Sequence, residues 1–109
     1  MNHSSMGIFI VGLAFALQPA IASGQERGDP EKGLTFAQEV CADCHGVRKG
    51  YEPSQEPFAP TFEAIANSPG MSELALSVFL RTPHATMPNL VLTETEIVDV
   101  VSYIVSLKK

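Results

Sequence analysis

Five consecutive residues hold the most distinctive chemistry of this sequence: Cys41-Ala42-Asp43-Cys44-His45. They include both cysteines of the chain, and an imidazole follows the second thiol directly. Thiols can add to vinyl groups, and an imidazole nitrogen can ligate iron. The C-x-x-C-H spacing is therefore typical of covalent attachment of a c-type haem, with Cys41 and Cys44 as attachment points and His45 as an iron ligand.

Three other kinds of site use two cysteines at this spacing. A thioredoxin-like redox pair requires a preceding strand in a βαβ unit, whereas we predict a helix before Cys41. A structural zinc ion needs four ligands, and here His45 and His84 would have to complete the set at an irregular spacing. A disulfide would close a small, strained ring of little structural value. Only haem attachment uses His45 together with an export signal, so we favour that interpretation.

A second axial ligand is expected in the loop that precedes the last helix. Met87 lies there beside Pro88, which restrains the backbone next to it, and helical periodicity gives no reason for a buried methionine at this position. We therefore favour Met87 as the ligand. His84 and Met71 are the alternatives, and we interpret them as a surface loop histidine and a hydrophobic contact at a helix start. A His/Met pair would raise the reduction potential relative to two nitrogen ligands.

The N-terminal segment is typical of a secretory signal peptide. Gly7 to Leu17 is an apolar run of suitable length, and Ala20-Ile21-Ala22 matches a small-x-small cleavage pattern. We expect residues 1–22 to be cleaved after Ala22 and residues 23–28 to form a flexible leader before a domain at 29–109. Retention of the segment as a membrane anchor is the alternative, although the run is short for a bilayer span. In both cases we expect the folded part to be exported, which in a bacterial cell would place it in the periplasm.

Capping residues and apolar periodicity predict an all-α domain of three to five helices. Asp29-Pro30-Glu31 starts a helix that runs to about Val40. Short helices follow at 60–67 and at 73–81, the latter capped by Ser72. The last helix begins with the capping box Thr93-Glu94-Thr95-Glu96 and runs to about Leu107. The segment 46–58 contains two glycines and two prolines, so we predict a long loop there that wraps around the cofactor.

Composition and charge limit the classes of partner. The chain has 109 residues, enough for one small domain, and a formal net charge of -5. An acidic protein without a basic patch does not neutralise phosphates, so we expect no nucleic-acid partner. A domain of this size has a thin core, and a covalently held haem would add to it.

From Asp29 to Leu107 the sequence resembles the class I cytochromes c, small soluble monohaem electron carriers. The resemblance implies an all-α cytochrome c fold wrapped around one covalently attached haem c. In that family a glycine and an aromatic residue of the first helix pack against an aromatic residue of the last helix, and Gly33, Phe36 and Tyr103 match these positions. A family proline after the motif accepts a hydrogen bond from the axial histidine through its carbonyl group. Pro60 is our match for it, and Pro57 is the weaker alternative.

The resemblance also implies a function. We expect a periplasmic one-electron carrier rather than an enzyme, with a low-spin haem ligated by His45 and Met87, and with redox proteins (a dehydrogenase, reductase or oxidase) as partners. We further expect a monomer without stable membrane insertion after cleavage. A haem enzyme or gas sensor with a displaceable distal ligand is the alternative. The lysine ring of the mitochondrial members is absent, so their docking surface is not assumed. We expect the haem pocket to be lined by apolar side chains: Phe58, Phe62, Leu76, Phe79, Leu80, Leu90 and Leu92.

Overall fold

The computed structural model describes residues 27–50 and 52–109. The predicted signal peptide 1–22 and leader residues 23–26 lie outside the described residues. Four helices follow one another along the described part of the chain: α1 (Pro30–Val40), α2 (Phe62–Ala66), α3 (Glu73–Arg81) and α4 (Glu94–Ser106). Within these ranges there is no strand, only an isolated bridge between His84 and Met87. The all-α prediction is confirmed, and the predicted bounds of α1 and α3 are reproduced to the residue.

Side-chain caps determine where the helices begin. The Asp29 carboxylate accepts hydrogen bonds from the first backbone N–H groups of α1, and Pro30 occupies the first turn, where a missing N–H costs nothing. Ser72 caps α3 in the same way. Both hydrogen bonds of the Thr93–Glu96 capping box are present at the start of α4. These signals are local, and for that reason they can be recognised in the sequence.

Helix α4 is the element on which the other three assemble. Each of α1, α2 and α3 packs against α4, and none of the three packs against another. The buried core accordingly draws more of its side chains from α4 than from any other helix: Ile97, Val100, Val101, Tyr103 and Ile104. None of the four helices has the length and apolar character that crossing a membrane requires.

The crossing of α1 over α4 depends on a glycine. A Cβ atom at Gly33 would lie 2.1 Å from the Asp99 carbonyl oxygen and 2.9 Å from Cβ of Tyr103. Only glycine allows the two backbones to approach this closely, which explains a residue that is otherwise unfavourable inside a helix. Gly28, at the end of the predicted leader, also lies against α4, with the Val98 carbonyl oxygen 2.1 Å from the position of a Cβ. The contact between the chain and α4 therefore starts before α1 does.

Candidate functional site

The Cys41–His45 motif forms a turn directly at the end of α1. The carbonyl oxygen of Cys41 accepts hydrogen bonds from the backbone N–H groups of Cys44 (3.2 Å) and His45 (2.9 Å). The following loop folds back onto this turn, since the N–H of Glu56 donates to the Cys44 carbonyl at 3.1 Å and that of Phe62 donates to Gly46 at 2.9 Å. Helix and loop together hold the two thiols and the imidazole within one short, hydrogen-bonded segment.

The imidazole of His45 is oriented by a backbone carbonyl. Its Nδ1 lies 2.6 Å from the carbonyl oxygen of Pro60, the proline matched in the sequence, and the ring packs against Phe62 with 5.6 Å between centroids. A carbonyl oxygen only accepts, so Nδ1 holds the proton and Nε2 keeps its lone pair in the neutral ring. Metal-ligating histidines are typically prepared in this way, because the outer hydrogen bond selects the tautomer and raises ligand basicity.

No disulfide joins Cys41 and Cys44. Burial raises the pKa of the Cys41 thiol to about 11, so Cys41 is protonated at neutral pH and is a poor nucleophile in a redox exchange. Within residues 27–50 and 52–109, no three His, Cys, Asp or Glu side chains are grouped to hold a metal ion. The helix that precedes Cys41, where a thioredoxin-like pair would follow a strand, disfavours the thiol-redox interpretation of the motif.

Met87 belongs to a second cluster, in the loop between α3 and α4. Its sulfur atom lies 3.2 Å from Nε2 of His84, and Nδ1 of His84 lies 2.7 Å from the carbonyl oxygen of Thr82. The His84 ring also stacks on Phe79, with 4.0 Å between centroids and 39° between planes. His84 lies in the loop, as expected, and is half-buried. Its imidazole is held in place by contacts on three sides.

Both ends of this loop are anchored. Leu80 and Leu92 pack against the buried core, and Arg81 at the end of α3 pairs with Glu94 at the start of α4, with 2.5 Å between Nη2 and Oε2. The ion pair is largely exposed and adds little to stability. The loop nevertheless enters and leaves at fixed points, which limits where Met87 can move.

Met71 has the surroundings expected of a hydrophobic contact. It is half-buried against the core, and its carbonyl oxygen accepts a hydrogen bond from Nζ of Lys108 at 2.5 Å. The interpretation of Met71 as a helix-start contact therefore agrees with its position.

The predicted pocket residues divide into three groups. Phe62 and Leu76 are buried in the core. Leu80, Leu90 and Leu92 line a cavity of about 260 Å³ beside Met87. Phe79 and Phe58 are 55% and 92% exposed, respectively.

The exposed face of α3 adds to this apolar surface, with Leu74 at 73% and Val78 at 56% exposure. A flat, largely apolar macrocycle fits such surfaces. The donor set (two thiols, one oriented imidazole and one thioether) also suits haem iron and its vinyl groups.

The contacts of His84 combine a local sequence pattern with a contact that only folding produces. Pro83 and Pro88 bracket four residues that begin with His84 and end with Met87, and this pattern predicts a tight turn with both side chains at its ends. The three-residue spacing between His84 and Met87 is the sequence pattern from which their proximity could be predicted. The stacking on Phe79 was not predictable, because the packing of a loop against a helix is non-local.

Known proteins resemble this chain over most of its length. The family model "Cytochrome c" matches residues 30–108. A cytochrome c-552 from Bradyrhizobium diazoefficiens is 33% identical over 104 residues, which cover 94% of this chain and 99% of that protein. No solved structure matches the chain at a significant level.

Proposed function

The chain belongs to the cytochrome c family, and from that premise we propose that it is a periplasmic one-electron carrier whose haem iron is ligated by His45 and Met87. As a member of this family it is a haem electron carrier with covalently attached haem c, and Cys41 and Cys44 fit the attachment motif. The ligand pair, the compartment and the absence of an enzymatic activity are the further elements of the proposal.

The observation that carries the proposal is the hydrogen bond between His45 and Pro60. It leaves Nε2 as the free ligand atom and points to an imidazole that keeps one orientation through repeated electron transfers. When bound, haem c supplies a one-electron couple between ferrous and ferric iron. The chain contributes an oriented ligand, apolar walls that exclude water, and helices that change little between oxidation states.

Met87 as the distal ligand is supported by the geometry of its loop. The loop is anchored at Leu80 and Leu92, and Met87 lies at the end of its Pro-flanked turn. Met71 is engaged with the core, which makes it the poorer candidate. His45 and Met87 together would hold the haem iron and would leave no coordination site for a substrate. We therefore propose electron transfer without an enzymatic reaction.

The periplasmic location is proposed from the sequence of residues 1–22, with its apolar run and small-x-small pattern. Cell fractionation combined with N-terminal sequencing tests it. We expect a mature chain that begins at Ser23, and a cytoplasmic protein with an intact Met1 would contradict the proposed location.

Optical spectroscopy tests the ligand pair. We expect low-spin spectra in both oxidation states, a sulfur-to-iron charge-transfer band in the ferric protein, and no binding of carbon monoxide to the ferrous protein. Met87→Ala should remove the charge-transfer band and lower the reduction potential. A high-spin ferrous wild type that binds carbon monoxide readily would instead support a haem enzyme or gas sensor.

Mass spectrometry tests the attachment points in protein matured by a haem-attaching host. Cys41→Ala or Cys44→Ala should greatly reduce covalent haem, because each thiol forms one of the two thioether bonds. Asp43→Ala, within the same motif, is the matched control and should keep the wild-type yield. Full haem yield in both cysteine variants would contradict the assignment.

A further inference from the structure

We propose that His84 is an alternative distal ligand, which takes the haem iron when Met87 leaves it. The proposal rests on the proposed role of Met87 as the resting ligand. It extends that role to a second side chain of the same turn.

The two candidate ligand atoms are in contact. Nε2 of His84 and the sulfur of Met87 are 3.2 Å apart, at the two ends of a turn that is closed by a backbone bridge between the same residues. A shift of the turn by about that distance would therefore exchange one ligand atom for the other.

When the His84 ring is neutral, the contact between its Nε2 and the sulfur of Met87 is not a hydrogen bond. The distance of 2.7 Å from Nδ1 of His84 to the Thr82 carbonyl oxygen requires a proton on Nδ1, because the oxygen only accepts. Nε2 then presents a lone pair to a sulfur that carries lone pairs of its own. Met87 gains no proton from His84, and the nitrogen lone pair has no donor in this cluster.

His84 makes the same kind of backbone hydrogen bond as His45. In both rings Nδ1 is hydrogen-bonded to a backbone carbonyl oxygen, at 2.6 Å in His45 and at 2.7 Å in His84. Nε2 keeps its lone pair and can act as the metal ligand. This arrangement is characteristic of histidines that ligate metals. Stacking on Phe79 adds a second restraint, so part of the entropy cost of ordering the ring is met before it binds iron.

Exchange of the ligand would change what the carrier can do. Two nitrogen ligands give a lower potential than a His/Met pair, so the exchanged form would be a weaker electron acceptor. The iron would also stay closed to small exogenous ligands after Met87 is lost. The turn would therefore provide a second protein ligand, so that loss of Met87 would not leave the iron open to exogenous ligands.

Spectroscopy of the holoprotein variants Met87→Ala and Met87→Ala/His84→Gln tests the proposal. We expect the single variant to stay low-spin, with electron paramagnetic resonance typical of two nitrogen ligands. The double variant should become high-spin and bind carbon monoxide readily. If His84 occupies the iron nine times in ten, the apparent affinity of the single variant for carbon monoxide is about tenfold weaker than that of the double variant.

Thr86, an exposed residue of the same turn with no metal-ligating side chain, provides the matched control. Met87→Ala/Thr86→Gln should behave like the single variant. The proposal is overturned if the single variant is already high-spin, or if the double variant remains low-spin through some other ligand. Covalent haem content and circular dichroism establish that each variant is folded.

A second measurement leaves Met87 in place. Low concentrations of guanidinium chloride that abolish the sulfur-to-iron band before the helices unfold should leave the wild type low-spin and convert His84→Gln to high spin. High spin in both proteins overturns the exchange. Absence of the sulfur band from the untreated wild type is a different result, because it removes the proposed Met87 ligation itself.

Discussion

Tyr103 holds its hydroxyl group inside the protein, where it donates a hydrogen bond to the carbonyl oxygen of Val47 at 2.5 Å. Val47 follows the haem attachment motif, and Tyr103 lies on α4 against Gly33. The hydrogen bond thus connects the motif loop to the central helix. Burial raises the pKa of Tyr103 above its ordinary value of 10.0, and the negative charge of Glu52 raises it further.

Replacement of Tyr103 by Phe should destabilise the protein by about 1–3 kcal/mol, because the buried Val47 carbonyl loses its donor. The difference in stability between the two proteins should become smaller at alkaline pH. Ionisation above 10.0 favours the unfolded chain, so the contribution of the tyrosine is complete below that pH and is lost as pH rises through the raised pKa. Urea unfolding of both proteins at neutral pH and above 10.0 measures this difference. A difference that is independent of pH would contradict the assignment.

Single residues also mark how far the sequence could be interpreted. The motif cysteines and His45 stand out in the sequence because the C-x-x-C-H pattern depends on residue type and short spacing. Pro60 was matched through the family resemblance, and the role of Met87 stays a prediction. The contacts of His84 with Phe79, and of Tyr103 with Val47, join positions brought together only by folding. No local pattern encodes such contacts, so they had to be observed.

At the scale of elements, the close crossing of α1 and α4 is the feature most sensitive to substitution. Gly33→Ala should destabilise the holoprotein by about 1–3 kcal/mol, because the new Cβ would meet a backbone carbonyl that cannot rotate away. Gln38→Ala, on the exposed side of α1, is the control and should be neutral or slightly stabilising. Denaturant midpoints measure the difference. Equal stability of the two variants would mean that the helices can separate without cost.

The starts of α1, α3 and α4 could be predicted because each capping residue is close in sequence to the N–H groups that it caps. Asp29, Ser72 and Thr93 each satisfy orphan N–H groups of their own helix, so the signal and its effect lie within three residues of each other. The assembly of α1, α2 and α3 on α4 has no such local signature. The crossing of α1 and α4 was anticipated only through the family resemblance that paired Gly33 with Tyr103.

Over the whole molecule, the haem-free chain should be poorly ordered. Large apolar side chains on α3 and in the flanking loops are substantially exposed, among them Leu74, Phe79 and Val91. We expect the Cys41→Ala/Cys44→Ala chain to bind a hydrophobic dye and to be digested quickly by protease, whereas the holoprotein resists both. Equal resistance would show that the polypeptide core is sufficient without the cofactor.

Charge is the property of the whole chain that bears on its partners. With a formal net charge of -5, the protein should dock most rapidly on a redox partner that has a basic surface. The bimolecular rate constant of electron transfer with such a partner should fall as ionic strength rises. Stopped-flow measurements over a salt series test this. A rate that rises with salt would indicate repulsion between the docking surfaces.

The position of α4 in the chain has a consequence for the timing of folding. The three earlier helices pack on α4 and on none of one another, yet α4 is the last of the four to be synthesised. The contacts that define the fold are therefore long-range and form late. In an exported chain, α4 is also the last of the four helices to cross the membrane. We therefore expect Cys41 and Cys44 to meet a haem-attaching enzyme before α4 is available to pack against. A chain truncated before Thr93 should keep the attachment motif and lose the helix on which the others assemble.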